Sequence, residues 1–195
     1  MPRQTSFTTE QLADRALHRF WVHGFHASSM DELVKATGVS RHGIYTTFGG
    51  KKALFLACFE RYQQIVVTPA FAVVETPGAG LDSVAAYFEK QITSGEAAGL
   101  PGPGCFVANS ATEVAPDDPA VMTEVQRHND RLKIGFAAAL ETSIPDISER
   151  KASDLADVMV IFTNGLWTMS RNTTDADALR RTVRNFISLL SEDKI

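Results

Sequence analysis

Apolar positions along most of this chain recur every three or four residues, the period of a helix with one buried side. Between Thr8 and Gly24, the residues Leu12, Ala16, Leu17, Phe20 and Trp21 form one stripe, with Thr8 or Thr9 as cap and Gly24 as stop. Ser28 or Ser29 caps a second helix, with Asp31 and Glu32 in its first turn and Met30, Leu33, Val34 and Ala36 as its buried side. Thr37-Gly38-Val39 is a tight turn in which Gly38 supplies the permissive backbone and Val39 plugs the space between helices. Ser40 caps the next helix, along which Ile44, Tyr45 and Phe48 run.

A long connecting helix is predicted from Lys51 to about Val67, with Leu54, Phe55, Cys58, Phe59, Tyr62 and Val66 on one side. Pro69 and then Pro77-Gly78-Ala79-Gly80 interrupt it. Asp82 or Ser83 opens a helix striped by Val84, Tyr87, Phe88 and Ile92, and Ser94 to Gly104 reads as a loop by composition. A short helix runs from Cys105 to about Val114. Asp118 and Pro119 open a longer one to about Thr142, with Val121, Val125, Leu132, Phe136 and Leu140 inward. Beyond Pro145, the positions Leu155, Val158, Met159, Phe162, Leu166 and Trp167 share a stripe. Thr174 or Asp175 starts the last helix, with Leu179, Val183, Phe186, Ile187 and Leu190 inward. No strand-like alternation and no repeat interrupts this pattern, so the expected fold class is all-α.

The stretch Ser28 to Lys52 carries the chemistry. Two short helices around a tight turn form a helix-turn-helix, which sets its second helix in the major groove of DNA. Arg41, His42 and Gly43 stand at the start of that helix, where base edges are reached, and Arg41 suits a bidentate contact to guanine. Gly43 lets the backbone come close. Ser29, Tyr45, Thr46 and Thr47 offer hydroxyls to phosphate oxygens, and Lys51 and Lys52 follow as cations.

With its flanks, this stretch resembles the TetR family of one-component bacterial regulators. The residues that match are the first helix Thr8–Gly24, Met30–Thr37, Gly38-Val39-Ser40, Gly43-Ile44-Tyr45, Phe48 and Lys51-Lys52-Ala53-Leu54-Phe55. Two positions depart from the family, which usually has a small hydroxyl residue at Gly43 and a polar residue at Gly50. The resemblance implies a three-helix DNA-binding domain over residues 1–52 and a helical ligand-binding and dimerisation domain over 53–195. The implied partners are a palindromic double-stranded operator, a second copy of the chain and a small-molecule effector. The dimer would form by pairing the last two helices into a four-helix bundle, and a charge at Phe186 or Leu190 is expected to break it.

Net charge adds to this. The chain of 195 residues carries −4 overall, which is unusual for a DNA binder. Residues 1–52 hold seven Lys/Arg against four Asp/Glu, and the remainder holds twelve against nineteen, so the positive charge is local to the reading head. No run of some 18 apolar residues predicts a membrane span. The start MPRQTSFTTE has no apolar signal core, which predicts a cytoplasmic protein. Two cysteines, Cys58 and Cys105, are too few for a disulfide framework or a zinc site, and His18, His23 and His26 have no ligand spacing. Neither a metal nor another cofactor is expected.

Aromatic residues on inward stripes, namely Phe59, Tyr62, Tyr87, Phe88, Phe106, Phe136, Phe162 and Trp167, together with Cys105, are candidates for an effector pocket, although such a stripe is more often plain core. An enzyme would need Cys105 as nucleophile with His128 as base, and no nucleophile elbow or phosphate loop accompanies them. A helical interaction module without DNA binding leaves Arg41, Tyr45 and Lys51 without a purpose. Cys105 follows Pro103-Gly104 at a helix start, where the helix dipole favours a thiolate and the loop would leave the sulfur accessible. Gly104 to Asn109 with Glu113 resembles an electrophile-sensing subgroup of the family. That likeness implies a basic partner for the cysteine, Arg171 here, while the alternative is a buried cysteine that lines a pocket.

Overall fold

The computed structural model describes residues 7–191. Among them every regular element is a helix. In chain order these are α1 Thr9–His23, α2 Met30–Thr37, α3 Arg41–Phe48, α4 Lys51–Tyr62, a π segment Gln63–Val67, α5 Thr68–Glu75, α6 Leu81–Ala98, α7 Phe106–Glu113, α8 Pro119–Ser143, α9 Glu149–Met169 and α10 Ala176–Ser191. The caps explain the boundaries. Thr8 and Gln11 form a reciprocal capping box at α1. Ser29, Ser40 and Ser148 each accept from the backbone N–H three residues on. Asp118 accepts from Ala120 and Val121 at the start of α8.

Packing divides the chain into two compact units. The first comprises the chain to Val66 together with Phe106–Val125, and the second comprises Val67–Cys105 with Gln126 onward. In the first, Phe55 is the hub of an aromatic core. Its ring meets Phe20 at 5.0 Å, Phe25 at 4.8 Å, Phe59 at 5.4 Å and Phe106 at 5.4 Å. Each fully buried Phe there contributes roughly 1.5–3 kcal/mol by leaving water. Arg61 binds Asp14 through two of its nitrogens and fastens α4 to α1. In the second unit Phe71, Phe88 and Phe136 are fully buried, and Phe162 stacks on Phe186 at 3.8 Å. Arg180 of α10 bridges Glu89 and Glu96 of α6.

Several expectations are corrected. Pro69 does not interrupt the helix, because it falls in the first turn of α5, where its missing N–H costs nothing, and the π segment carries the chain into it. Ser94 to Ala98 are helical rather than loop, since Glu96 is held by Arg180 and the two alanines favour helix. On α2 the buried residues are Leu33 and Thr37, while Ala36 is exposed. The Thr37 hydroxyl donates to Leu33 C=O and accepts from Val39 N–H, which lets a polar residue sit inside the turn. Val158 on α9 faces solvent.

Candidate nucleic-acid interface

The turn between α2 and α3 is built as its residues require. Gly38 adopts φ +73°, a left-handed conformation that costs other residues roughly 1–2 kcal/mol. Val39 is buried, as is Ile44, and these two residues with Leu33 hold α3 against the body. An added Cβ at Gly43 would lie 2.7 Å from Val39 Cγ1. A side chain at position 43 would therefore require Val39, the plug, to shift.

With one side of α3 buried, the other is free. Arg41, His42, Tyr45, Thr46 and Thr47 are exposed, Tyr45 at 51%. Arg41 is held by Asp31 of α2 at 2.8 Å, across ten residues of sequence. Guanidinium has five donors, so this pairing steadies the side chain and leaves others for a ligand. Sequence reasoning gave Asp31 only a helix-dipole role; its carboxylate, in the first turn of α2, meets the start of α3 only once the two helices pack together. Thr46 donates its hydroxyl proton to His42 C=O, so in this rotamer it has none left for a phosphate oxygen. The Tyr45 ring lies over Gly50, whose φ is +136° and where a Cβ would meet Tyr45 Cε1 at 3.1 Å. That contact accounts for glycine at position 50.

Ser29 spends an oxygen lone pair on Glu32 N–H and keeps its proton for donation. Lys51 Nζ sits 4.2 Å from the Phe25 ring centroid, and burial lowers its pKa while Glu113 opposes that shift. Lys52 is paired to Asp118 at 2.7 Å.

The other sequence-derived candidates separate. Phe59, Tyr62 and Phe106 belong to the first unit's aromatic core, with Phe59 and Phe106 rings 4.9 Å apart. Tyr87, Phe88, Phe136, Phe162 and Trp167 gather in the second. Cys105 is buried, 5% exposed, so the Gly/Pro loop does not leave it accessible as expected. Burial pushes the Tyr87 phenol well up, a charge on Cys105 adds to this, and a hydrogen bond with Trp167 opposes it. Arg171 lies beyond the end of α9 and packs its stem on Gly104, where a Cβ would meet its Cγ and Cδ at 2.9 Å. His128 is buried and held neutral, its pKa lowered to about 4 by burial and secondarily by Arg131. Among the described residues no group of three or more His, Cys, Asp or Glu is placed to hold a metal, and no helix is long and apolar enough to cross a membrane.

A capped turn with a buried plug and an exposed, hydroxyl-rich and cationic second helix defines a helix-turn-helix regulator of transcription that binds DNA. Residues 12–58 match the model for bacterial regulatory proteins of the TetR family, and residues 80–186 match that for the tetracycline repressor-like C-terminal domain. The chain belongs to the TetR family. It is 26% identical over 140 residues to an uncharacterized HTH-type transcriptional regulator, YezE, of Bacillus subtilis, covering 70% of each chain. It is 30% identical over 115 residues to the HTH-type transcriptional repressor ComR of Escherichia coli, covering 59% of this chain and 55% of that one. Its fold resembles that of a cysteine mutant of the TetR family regulator CifR in complex with a 26-base-pair operator DNA. The TM-score is 0.81 at 18% identity, with 95% of this chain and 98% of that chain covered.

Proposed function

We propose that this chain is a repressor that binds a near-palindromic double-stranded operator as a homodimer and leaves it when a small molecule binds the C-terminal part. The observation that carries this is the exposed face of α3, where Arg41, His42, Tyr45, Thr46 and Thr47 stand clear of the packing. Arg41, steadied by Asp31, reads a guanine. Ser29, Tyr45, Thr47 and Lys51 contact phosphates, and Thr46 joins them by turning its hydroxyl proton away from His42 C=O. Residues 1–52 read DNA and residues 53–195 bind effector and dimerise.

Exposed apolar residues support the dimer. Val158, Ile161 and Met169 lie on one face of α9, Ile161 at 72% exposure, and Leu189 is exposed on α10. These supersede Phe186 and Leu190 as the sites for testing assembly: Phe186 is stacked on Phe162, and Leu190 is core of its own chain. The effector is proposed to sit among Tyr87, Phe88, Phe136, Phe162 and Trp167. No catalytic role is assigned to Cys105 and His128, both buried and the latter neutral.

A mobility shift of the purified protein on the DNA upstream of its own gene tests the reading. Retarded bands that disappear with specific competitor are expected; no band at low salt contradicts it. A second reading, redox or electrophile sensing through Cys105, is supported by the packing of Arg171 on Gly104 beside it. It requires that hypochlorite release the parent from DNA and that Cys105→Ser abolish the release while Cys58→Ser does not. Equal release of the parent and Cys105→Ser leaves only the buried, pocket-lining role.

A further inference from the structure

The corner between α1 and α2, Gly24 to Ser29, sets where the helix-turn-helix begins. It is held from outside the reading head. The Glu113 carboxylate, at the end of α7, accepts from Phe25 N–H at 3.0 Å through Oε2 and from His26 N–H at 2.8 Å through Oε1. These two amides lie in the corner beyond α1, outside any helical ladder, and one side chain 87 residues from His26 satisfies both. The carboxylate lies close against Gly24. A Cβ at Gly24 would lie 2.7 Å from Glu113 Oε2, and Gly24 has φ +83° besides. The same corner is drawn in locally, since Ser28 Oγ donates to Gly24 C=O at 2.7 Å and Arg19 donates to Ala27 C=O at 3.1 Å. Lys51, over the Phe25 ring, is also within the field of Glu113.

We propose that Glu113 is a positioning residue for DNA binding: its carboxylate clamps the α1–α2 corner and thereby sets the orientation of α2 and α3 for the duplex. It touches no DNA itself. A carboxylate accepts from both amides; an amide side chain has one oxygen and directs an N–H₂ group at the second donor. An aligned pair of N–H groups to a carboxylate is also directional, so the clamp fixes the corner's orientation as well as its distance. Sequence-specific contact needs α3 in register with base edges, whereas attraction to phosphates tolerates a displaced helix. Losing the clamp therefore weakens specific binding more than general affinity.

The inference rests on the proposed function, and its test separates the two. Duplexes selected by the parent protein from a random-sequence library serve as specific DNA, and a scrambled duplex of equal length and composition as the control. Glu113→Gln is expected to weaken the selected duplex at least tenfold, to change the scrambled one less than twofold, and to leave far-UV circular dichroism unchanged. Glu113→Asp, which keeps the two acceptors, is expected to recover part of the lost affinity. Equal weakening of both duplexes, or parent-like binding by Glu113→Gln, overturns the positioning role. Amide hydrogen exchange on the parent decides independently of any DNA. The Phe25 and His26 amides are expected to be protected in the parent and to exchange freely in Glu113→Gln while Ile44 stays protected. Unprotected Phe25 and His26 in the parent overturn the clamp, including where Glu113→Gln does not fold. A parent that selects no sequence contradicts the DNA-reading proposal and leaves the exchange measurement as the judge of the clamp.

Discussion

At the residue scale, the reading head depends on a few positions whose substitution has a defined direction. Arg41→Ala should cost about 1–3 kcal/mol of specific binding and relax the preference at one base pair, measured by competition with single-base variants of the selected site. Parent-like selectivity of Arg41→Ala would contradict the base contact. Gly49 and Gly50 are both left-handed, but a Cβ at Gly49 meets nothing within 4 Å, while at Gly50 it crowds the Tyr45 ring. Gly50→Ala should therefore destabilise more than Gly49→Ala, the latter by roughly 1–2 kcal/mol, and only the former should perturb the Tyr45 fluorescence and DNA affinity. A larger effect at Gly49 would show that backbone strain alone governs both. His128 provides a pH dependence. Its pKa is lowered to about 4 from the ordinary 6.5, so the unfolded chain takes up this proton first. Stability is full above about pH 6.5 and is lost as pH falls toward 4, by about 3 kcal/mol from this group. Urea unfolding at pH 7 and pH 4.5 should show a smaller acid loss in His128→Gln than in the parent; an equal loss would place the effect in carboxylates.

At the element scale, periodicity and caps determined most of what could be read in advance. Thr8, Ser29, Ser40, Gly38 and Gly24 mark helix ends because side-chain oxygens and left-handed glycines answer local needs of three or four residues. The misreadings have the opposite origin. Composition marked Ser94 to Ala98 as loop, yet Arg180 holds Glu96 from 84 residues away. Pro69 looked like a break because a π segment leaves little trace in a sequence. Ala36 and Val158 lie on apolar stripes that packing does not use. The exposed residues of α3 were legible; their supports, Asp31 for Arg41 and Gly50 beneath Tyr45, were not, because both join residues that only the folded turn brings together. Ser40→Ala tests the cap on α3 and should cost about 1 kcal/mol in thermal or denaturant unfolding. No loss would mean that tertiary packing of Ile44 suffices to hold the helix.

For the whole molecule, the proposed function joins the charge division and the exposed apolar faces in one scheme, in which a second copy of the chain pairs through α9 and α10 and so duplicates the reading head. Ile161→Glu should shift sedimentation from dimer to monomer without unfolding, since Ile161 is exposed in the single chain, whereas a charge at Leu190 should unfold it. Monomers in the parent at micromolar concentration would contradict the pairing. The most direct test of the central claim is selection of bound duplexes from a random-sequence library by the parent and by Arg41→Ala. The account predicts that the parent enriches a near-palindrome whose half-site centres lie about one duplex turn, roughly 34–36 Å, apart, and that Arg41→Ala loses preference at one symmetric pair of positions. No enrichment by the parent, or the same motif from both proteins, would contradict it.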